Sequence, residues 1–208
     1  RISSNSWGSN TAGAYDVSCL QVDQFMWAHK DFLIFFSNGN AGTAGSVGSP
    51  AAAKNICSAG GTQNGTLATS IYASTSRGPT QDGRRKPTIA SPGQSINSAN
   101  GATTNGYKSL SGTSMASPSQ AGAAALIRQY LAEGWYPTGT KIPADALVPS
   151  AALLKAMCVN SADNDMTGYV APDNNVGWGR IDADNVCYFA GDARKLIAVD
   201  NSPGMGQG

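Results

Sequence analysis

The stretch that most constrains this 208-residue chain is Ser-Gly-Thr-Ser-Met-Ala-Ser-Pro at residues 111–118. It lies between a strand-like run at 107–110 and a helical pattern that reaches about Leu131. Pro118 is tolerated only near the start of a helix, so the helix is predicted to begin here. Ser114 then lies at the helix start, where free backbone N–H groups and the helix dipole favour negative charge.

This placement allows two interpretations of Ser114. Small side chains at 121–125 let the helix press against its neighbours, so the helix is predicted to be buried. A serine at the start of a buried helix is well placed to be a nucleophile, because charge that develops on its substrate meets fixed dipoles. The simpler interpretation is a Ser or Thr that caps a core helix, and spacing alone favours that cap.

Four motifs change this balance. Residues 112–118 resemble the nucleophile motif of the subtilisin-like serine proteases, the subtilases. The segment 37–42, Ser-Asn-Gly-Asn-Ala-Gly, follows the apolar run 32–36 and is similar to the segment with the family's oxyanion asparagine, here Asn40. The other two resemblances are at 76–93 and 177–183. The motifs occur in family order and span nearly the whole chain, and the long alkaline-protease branch, with an added C-terminal β domain, is most similar.

The resemblance implies an α/β fold in three layers, with a mainly parallel sheet and helices on both faces, incomplete in this chain. The uninterrupted apolar run 32–36 fits a central parallel strand, and the pattern at 16–30 predicts a helix before it. Further strands are expected near 1–8, 55–59, 71–74, 88–90 and 195–199, and further helices at 151–159 and 182–189.

One peptidase domain accounts for most of the chain. Residues 1–190 are interpreted as the C-terminal portion of such a domain, and 191–208 as a linker or the start of a further, missing domain. The chain begins inside a predicted strand, so we expect it to be a piece of a longer protein. A net charge of +1 gives no argument for nucleic acid or an anionic membrane as a partner, and no run approaches a transmembrane length.

The resemblance assigns roles to residues of the site. Ser114 is implied as the nucleophile and Asn40 as the donor to the oxyanion of the tetrahedral intermediate. The implied substrate-binding residues are Ser6, Trp7 and Gly8 on one wall of the primary specificity pocket, Ser37, Asn38 and Gly39 on the other, and Thr113 next to the nucleophile. Read without the resemblance, residues 38–40 are simply a turn.

The catalytic base and the carboxylate that orients it have no candidates in this sequence. His29 is the one histidine, and it falls late in the first predicted helix without the family's Gly-Thr-His motif. It is interpreted as a surface residue near the helix C-terminus. No aspartate matches the family motif either. The expected substrate is a polypeptide. Its hydrolysis is expected to require a missing N-terminal part of the catalytic domain that carries His and Asp, so this chain alone is predicted to be inactive.

Two other functions are alternatives to a serine endopeptidase. A non-catalytic pseudoprotease or peptide-binding module would keep the fold but would not need both Ser114 and Asn40. An esterase or lipase would need a Gly-x-Ser-x-Gly elbow, and Ala116 stands where its second glycine belongs, so that class is excluded.

The remaining expectations concern ions, cysteines and location. No cofactor is required for the chemistry, and no metal ligand is assigned to the site. Subtilases often bind structural calcium, so the acidic segments 163–165 and 173–175 leave such a site open, although solvated loops are the simpler interpretation. The four cysteines are interpreted as small buried hydrophobic residues, with disulfide pairing open. The family implies an extracellular or secretory-pathway location.

The segment 82–86, with its cluster of basic residues, is expected to be a solvated turn that does no chemistry. Just after it, Thr88 and Ser91 replace the Asp and Ala common in the family. These two departures put local packing or ion binding in doubt, but not the fold.

Overall fold

The computed structural model describes residues 1–201. Residues 202–208, part of the expected linker, lie outside this range. The described strands are β1 (Ile2–Asn5), β2 (Leu33–Ser37), β3 (Cys57–Thr62), β4 (Ile89–Pro92), β5 (Ile96–Ala99) and β6 (Tyr107–Leu110). The described α-helices are α1 (Val17–Ala28), α2 (Thr113–Ala132) and α3 (Ala151–Asn160). None of these helices is long and apolar enough to cross a membrane.

The first four strands form one parallel sheet in chain order, β1-β2-β3-β4. All five residues of β2 are buried. Because consecutive strand residues point to opposite faces, this burial means that both faces of the sheet are covered at β2. Helix α2 contacts all four strands, and α3 packs against α2 and β2. The predicted α/β architecture with a parallel sheet is confirmed.

Helix α1 begins and ends where the sequence indicates. Asp16 caps it by accepting a hydrogen bond from the backbone N–H of Cys19 at 3.1 Å. His29 is the C-cap, it is exposed, and its ring lies against Phe25 with 4.3 Å between ring centroids. The prediction that His29 is a surface residue at a helix C-terminus is confirmed.

Burial of α2 is confined to one face. Ala116, Ala124 and Ile127 are fully buried against the sheet, whereas Gly122 and Ala125 on the opposite side are exposed. The small residues therefore permit close packing along a stripe of the helix and not all around it. Pro118 is the sixth residue of the helix, close to its start as predicted.

The four cysteines are free thiols in the interior, as the interpretation of small buried hydrophobic residues requires. Cys57 and Cys158 have no exposed surface. Burial raises the pKa of the Cys57 thiol to about 11, which makes it a poor nucleophile at neutral pH.

Three predicted elements are wrong. At 71–74 only Ile71 makes a ladder contact, an isolated bridge to Thr62, because the chain turns at once with the Thr75 N–H bonded to the Tyr72 carbonyl at 2.9 Å. At 182–189 only the short 3-10 turn Ala183–Val186 forms. The segment 195–199 is not a strand.

The failed helix at 182–189 has a visible cause. The Asn185 amide donates to the Asp163 carboxylate at 2.7 Å and to the Ser161 carbonyl at 3.1 Å. Cys187 then has extended backbone angles that end the turn. Tertiary hydrogen bonds thus outweigh a weak local helix preference.

The expected solvated turn at 82–86 is only partly solvated. Asp82 and Arg85 are exposed, but Lys86 is 4% exposed and its ammonium donates to the Ala53 carbonyl at 2.6 Å. Arg84 donates to the neighbouring Ala52 carbonyl at 2.7 Å. The prediction that this segment lies in solvent is therefore wrong for Lys86.

The two departures from the family pattern, Thr88 and Ser91, are both buried and both hydrogen bonded. The Thr88 hydroxyl lies 3.2 Å from that of Ser58, and the Ser91 hydroxyl donates to the Ala116 carbonyl at 2.9 Å. The hydroxyl of Ser91 thereby joins β4 to the first turns of α2. Both of these buried hydroxyls have a hydrogen-bond partner, so neither substitution disturbs local packing.

Candidate active site

The candidate site lies where β1 and β2 end and α2 begins. Ligand sites of parallel α/β sheets form at this carboxyl edge. The loop before α2 is fixed by a hydrogen bond from the Gly112 N–H to the Gly93 carbonyl at 2.8 Å. A Cβ on Gly93 would lie 2.8 Å from the Gly112 carbonyl oxygen, so only glycine permits this approach.

Ser114 is the second residue of α2 and does not cap it. The N-cap position belongs to Gly112, and no side chain caps the helix. The interpretation of Ser114 as a structural cap is therefore wrong. Its hydroxyl instead donates to the Ser6 carbonyl at 3.4 Å. Within residues 1–201 its backbone N–H has no acceptor and remains a free donor at the positive end of the helix dipole.

Thr113 fixes the orientation of the Asn40 side chain. The Thr113 backbone N–H donates to Asn40 Oδ1 at 2.9 Å, and the Thr113 hydroxyl donates to the same oxygen at 3.1 Å. Because a backbone N–H can only donate, the amide atom that faces it must be the oxygen. The Asn40 NH₂ group therefore points away from Thr113, and no acceptor for it is found in the described part of the chain.

A cleft of about 410 Å³ opens beside these groups. Its lining consists of Ser6, Trp7, Gly8, Ser9, Asn10, Ser37, Gly39, Asn40, Ala41, Ser46, Gly48, Ser76 and Ser114. The lining contains seven of the nine residues that the sequence assigned to the site, and it carries no charged side chain. Ser114 and Asn40 thus converge on one cleft.

Two of the assigned residues lie behind the cleft. Asn38 has no exposed surface, and its amide donates to the Ser76 carbonyl at 2.6 Å. Thr113 is likewise buried, and its contacts are with Gly39 and Asn40. Both residues support the lining from beneath, whereas the sequence placed them among the substrate contacts.

The rear of the cleft includes Ser46 and Gly48, within the segment 42–50 that the sequence indicates for it without assigning individual residues. Ser9 and Ser49 exchange two backbone hydrogen bonds of 2.8 and 2.9 Å, which join the β1 wall to the segment before β3. Gly48 fits there because a Cβ would lie 2.8 Å from the Ser9 carbonyl oxygen. Glycines at 42, 45 and 48 are the one signal in the sequence for such close packing.

His29 lies at the opposite end of the sheet. Its carbonyl accepts from the Phe32 N–H at 3.0 Å, immediately before β2, whereas Asn40 follows β2. Five strand residues span about 16 Å at ~3.3 Å per residue, so His29 is out of reach of Ser114. The only histidine in the sequence is therefore not the base for this serine.

The acidic segments considered for calcium are engaged in other contacts. Arg180 donates to Asp163 at 3.0 Å and to Asp165 at 2.8 Å. Asp173 caps its own turn by accepting from the N–H groups of Asn175 and Val176, both at 2.8 Å. Within residues 1–201, no cluster of three or more His, Cys, Asp or Glu side chains is arranged to hold a metal ion.

The parallel sheet and the serine at the start of a packed helix define an α/β protein with a candidate serine nucleophile. Residues 1–179 match the profile of the subtilase family, Peptidase S8, so the chain belongs to that family of serine proteases. It is 30% identical to the serine protease/ABC transporter B family protein tagD of Dictyostelium discoideum, over 78% of this chain and 14% of tagD. It is 38% identical to C5a peptidase of Streptococcus pyogenes, over 55% of this chain and 9% of that protein.

Solved structures agree with the fold. The prenylagaramide maturation protease PagA superposes with a TM-score of 0.68 at 21% identity, over 88% of this chain and 60% of its own. Sphericase gives a TM-score of 0.64 at 23% identity, over 86% of this chain and 56% of its own. The chain thus spans about three fifths of the structures that it matches and a much smaller share of tagD and C5a peptidase.

Proposed function

We propose that this chain is the nucleophile-bearing portion of a subtilisin-type serine endopeptidase. Ser114 Oγ attacks the carbonyl carbon of a peptide bond and forms a tetrahedral intermediate. The Asn40 NH₂ group and the Ser114 N–H donate hydrogen bonds to its oxyanion. Collapse expels the amine and leaves an acyl-enzyme on Ser114, which water then hydrolyses.

The observation that carries this proposal is the orientation of Asn40 by Thr113. The Thr113 N–H binds Oδ1, and the Thr113 hydroxyl, which shares its one proton between Oδ1 and the Gly39 carbonyl, lies within hydrogen-bond distance of it, so the amide protons face away from Thr113, on the side of the cleft that Ser114 also lines. A donor that is held before substrate arrives stabilises developing charge without reorganisation. Such preorganisation has no use in a simple turn, so it favours a catalytic role over the turn interpretation.

The substrate is proposed to bind as an extended strand along residues 6–8. These residues continue β1 beyond its last ladder pair and line the cleft. Backbone hydrogen bonds to a peptide would add it to this wall, as in other strand-addition complexes. The opposite wall is formed by Ser37 and Gly39. The absence of charge from the lining favours an uncharged side chain next to the scissile bond.

The proton acceptor for Ser114 is proposed to come from residues outside this chain, together with the carboxylate that orients it. The chain alone is then inactive. An extracellular or secretory-pathway location and a structural calcium ion belong to the same proposal. Neither is needed for the chemistry at Ser114.

Two assays test this proposal. The isolated chain should not cleave an unstructured protein such as casein, and Ser114-dependent cleavage by it would overturn the view that the base lies elsewhere. In the complete protein, a fluorophosphonate probe should label Ser114, and Ser114→Ala should abolish that labelling.

A non-catalytic peptide-binding module is the second candidate, favoured only by the lack of a base within the chain. It predicts peptide binding to the complete protein without any fluorophosphonate labelling of Ser114.

A further inference from the structure

The hydroxyl of Ser6 makes a contact that the proposed mechanism does not use. Ser6 Oγ donates to the backbone carbonyl of Ser114 at 2.8 Å, although 108 positions separate them in sequence. In return, the Ser114 hydroxyl lies 3.4 Å from the Ser6 carbonyl oxygen. The two residues therefore face each other through both hydroxyls and both carbonyls. This contact joins the substrate-binding wall directly to the candidate nucleophile.

Pro118 explains why the Ser114 carbonyl accepts from a side chain. In an α-helix each carbonyl accepts from the N–H four residues later, which for Ser114 is residue 118. Proline has no N–H, so this carbonyl has no helical donor. Because the helical N–H is missing, the Ser6 hydroxyl supplies a donor to a carbonyl that the helix leaves without its usual partner. Pro118 thus leaves the Ser114 carbonyl without its helical donor, and the Ser6 hydroxyl donates to it instead.

The same two elements meet again one turn further along α2. The Ser117 hydroxyl lies 3.2 Å from that of Ser4 and donates to the Asn5 carbonyl at 3.4 Å. Ser117 has no exposed surface, so these contacts fix the spacing between β1 and the body of the helix. Of the side-chain hydrogen bonds that join residues 4–6 to α2 in the described part of the chain, those of Ser6 are the ones that involve Ser114 itself.

We propose that Ser6 is a positioning residue whose hydroxyl, through the carbonyl that Pro118 leaves open, holds Ser114 in register with the substrate-binding wall. The inference rests on the proposed function and deepens it. A peptide bound along residues 6–8 and a nucleophile residue hydrogen bonded to Ser6 are both positioned by the same segment of the chain. Loss of the bond lets the first turn of α2 shift relative to the scissile carbonyl, which affects the reaction step and not substrate binding.

The test uses the complete protein and the rate of fluorophosphonate reaction at Ser114, separated into probe affinity and the first-order reaction constant. Ser6→Ala should lower the reaction constant about three- to tenfold, the effect of one hydrogen bond of ordinary net strength, and leave probe affinity unchanged. Ser6→Thr keeps the hydroxyl and should restore the rate to within about twofold. Ser119→Ala, at an exposed serine of α2, is the matched control and should react like the wild type.

A double-mutant cycle with Pro118→Ala tests the route of the effect. The new N–H at residue 118 gives the Ser114 carbonyl its missing helical donor. In that background Ser6→Ala should change the reaction constant by less than about twofold.

Equal losses in both backgrounds, no loss on Ser6→Ala, or no rescue by threonine would overturn the positioning role and leave the proposed function standing. Failure of the probe to label wild-type Ser114 would instead refute the proposed function, and this inference with it.

Discussion

Within residues 1–201 the buried Lys86 makes no salt bridge, and its removal should change how stability depends on pH. In the part of the chain that the structure describes, the Lys86 side-chain nitrogen donates to the Ala53 carbonyl at 2.6 Å. Burial, followed by the nearby charges of Lys155 and Arg84, lowers the pKa of Lys86 from its ordinary 10.5 to about 7. The folded chain therefore disfavours the charged form of this side chain.

The sign of the effect follows from proton binding. Between pH 7 and 10.5 the unfolded chain keeps a proton on Lys86 that the folded chain has released. Folding stability therefore rises with pH across this window, by about 1.4 kcal/mol per unit, and levels off below about pH 7 where both states are charged. Between pH 7.5 and 8.5, the contribution of Lys86 to folding stability becomes more favourable by about 1.4 kcal/mol.

Denaturant unfolding of the wild type and of Lys86→Met at pH 6, 7.5 and 8.5 measures this contribution. The free energy of unfolding of the wild type, minus that of Lys86→Met, should rise by about 1.4 kcal/mol between pH 7.5 and 8.5. Lys108→Met, at an exposed strand residue, is the matched control and should show no such rise. The buried thiols, such as that of Cys57 with its raised pKa, have the opposite effect as pH approaches 9, but they are present in all three proteins and cancel in the differences.

Equal pH dependence in the wild type and in Lys86→Met would refute the argument. That result would mean that the ammonium is either hydrated or compensated by a charge that the geometry does not show. The N-terminal amine also has a lowered pKa, but it is present in all three proteins and cancels in the differences.

Three further outcomes follow from the site. In the complete protein, Asn40→Leu should reduce turnover about 10²–10³-fold, the loss seen when an oxyanion-hole asparagine is removed from subtilisin, a magnitude that we adopt and do not derive. Thr113→Val keeps the backbone donor to Asn40 but removes the hydroxyl donor, so turnover should fall about tenfold, and an unchanged turnover would deny it an orienting role. Gly93→Ala should lower the free energy of unfolding by about 1–3 kcal/mol, because its Cβ meets the Gly112 carbonyl, whereas Gly101→Ala, with no atom within 4 Å, should not.

The elements that carry the motifs could be predicted because their signals are local. The apolar run of β2 and the glycine, serine and small residues around the start of α2 each specify their own conformation within a few residues. Strand β6 was predicted at its observed bounds for the same reason. Its partner β5 was missed, because Ile96–Ala99 carries one apolar residue followed by polar and small ones and pairs only through the hairpin.

The remaining features depend on residues that are distant in sequence. Lys86 looks like a solvated residue because its neighbours are charged, and its burial is set by a carbonyl at residue 53. Pro118 is visible in the sequence and removes the helical donor to the Ser114 carbonyl. The hydroxyl that donates to this carbonyl instead belongs to Ser6, 108 positions from Ser114. The orientation of the Asn40 amide likewise requires knowing that Thr113 faces it. Composition and spacing carry no information about such pairings.

In the proposed enzyme, this chain holds the groups that stabilise the oxyanion, whereas the base for proton transfer comes from elsewhere. The Asn40 amide is oriented by Thr113, and Ser114 is anchored by Ser6, so the groups that stabilise the oxyanion are preorganised without help from a base. Proton transfer needs a histidine that this chain lacks near the site. A base supplied from elsewhere then has to align only with Ser114 Oγ, because the electrostatic part of the site is already in place. An isolated chain that binds an extended peptide along residues 6–8 without cleaving it is the behaviour that this division requires.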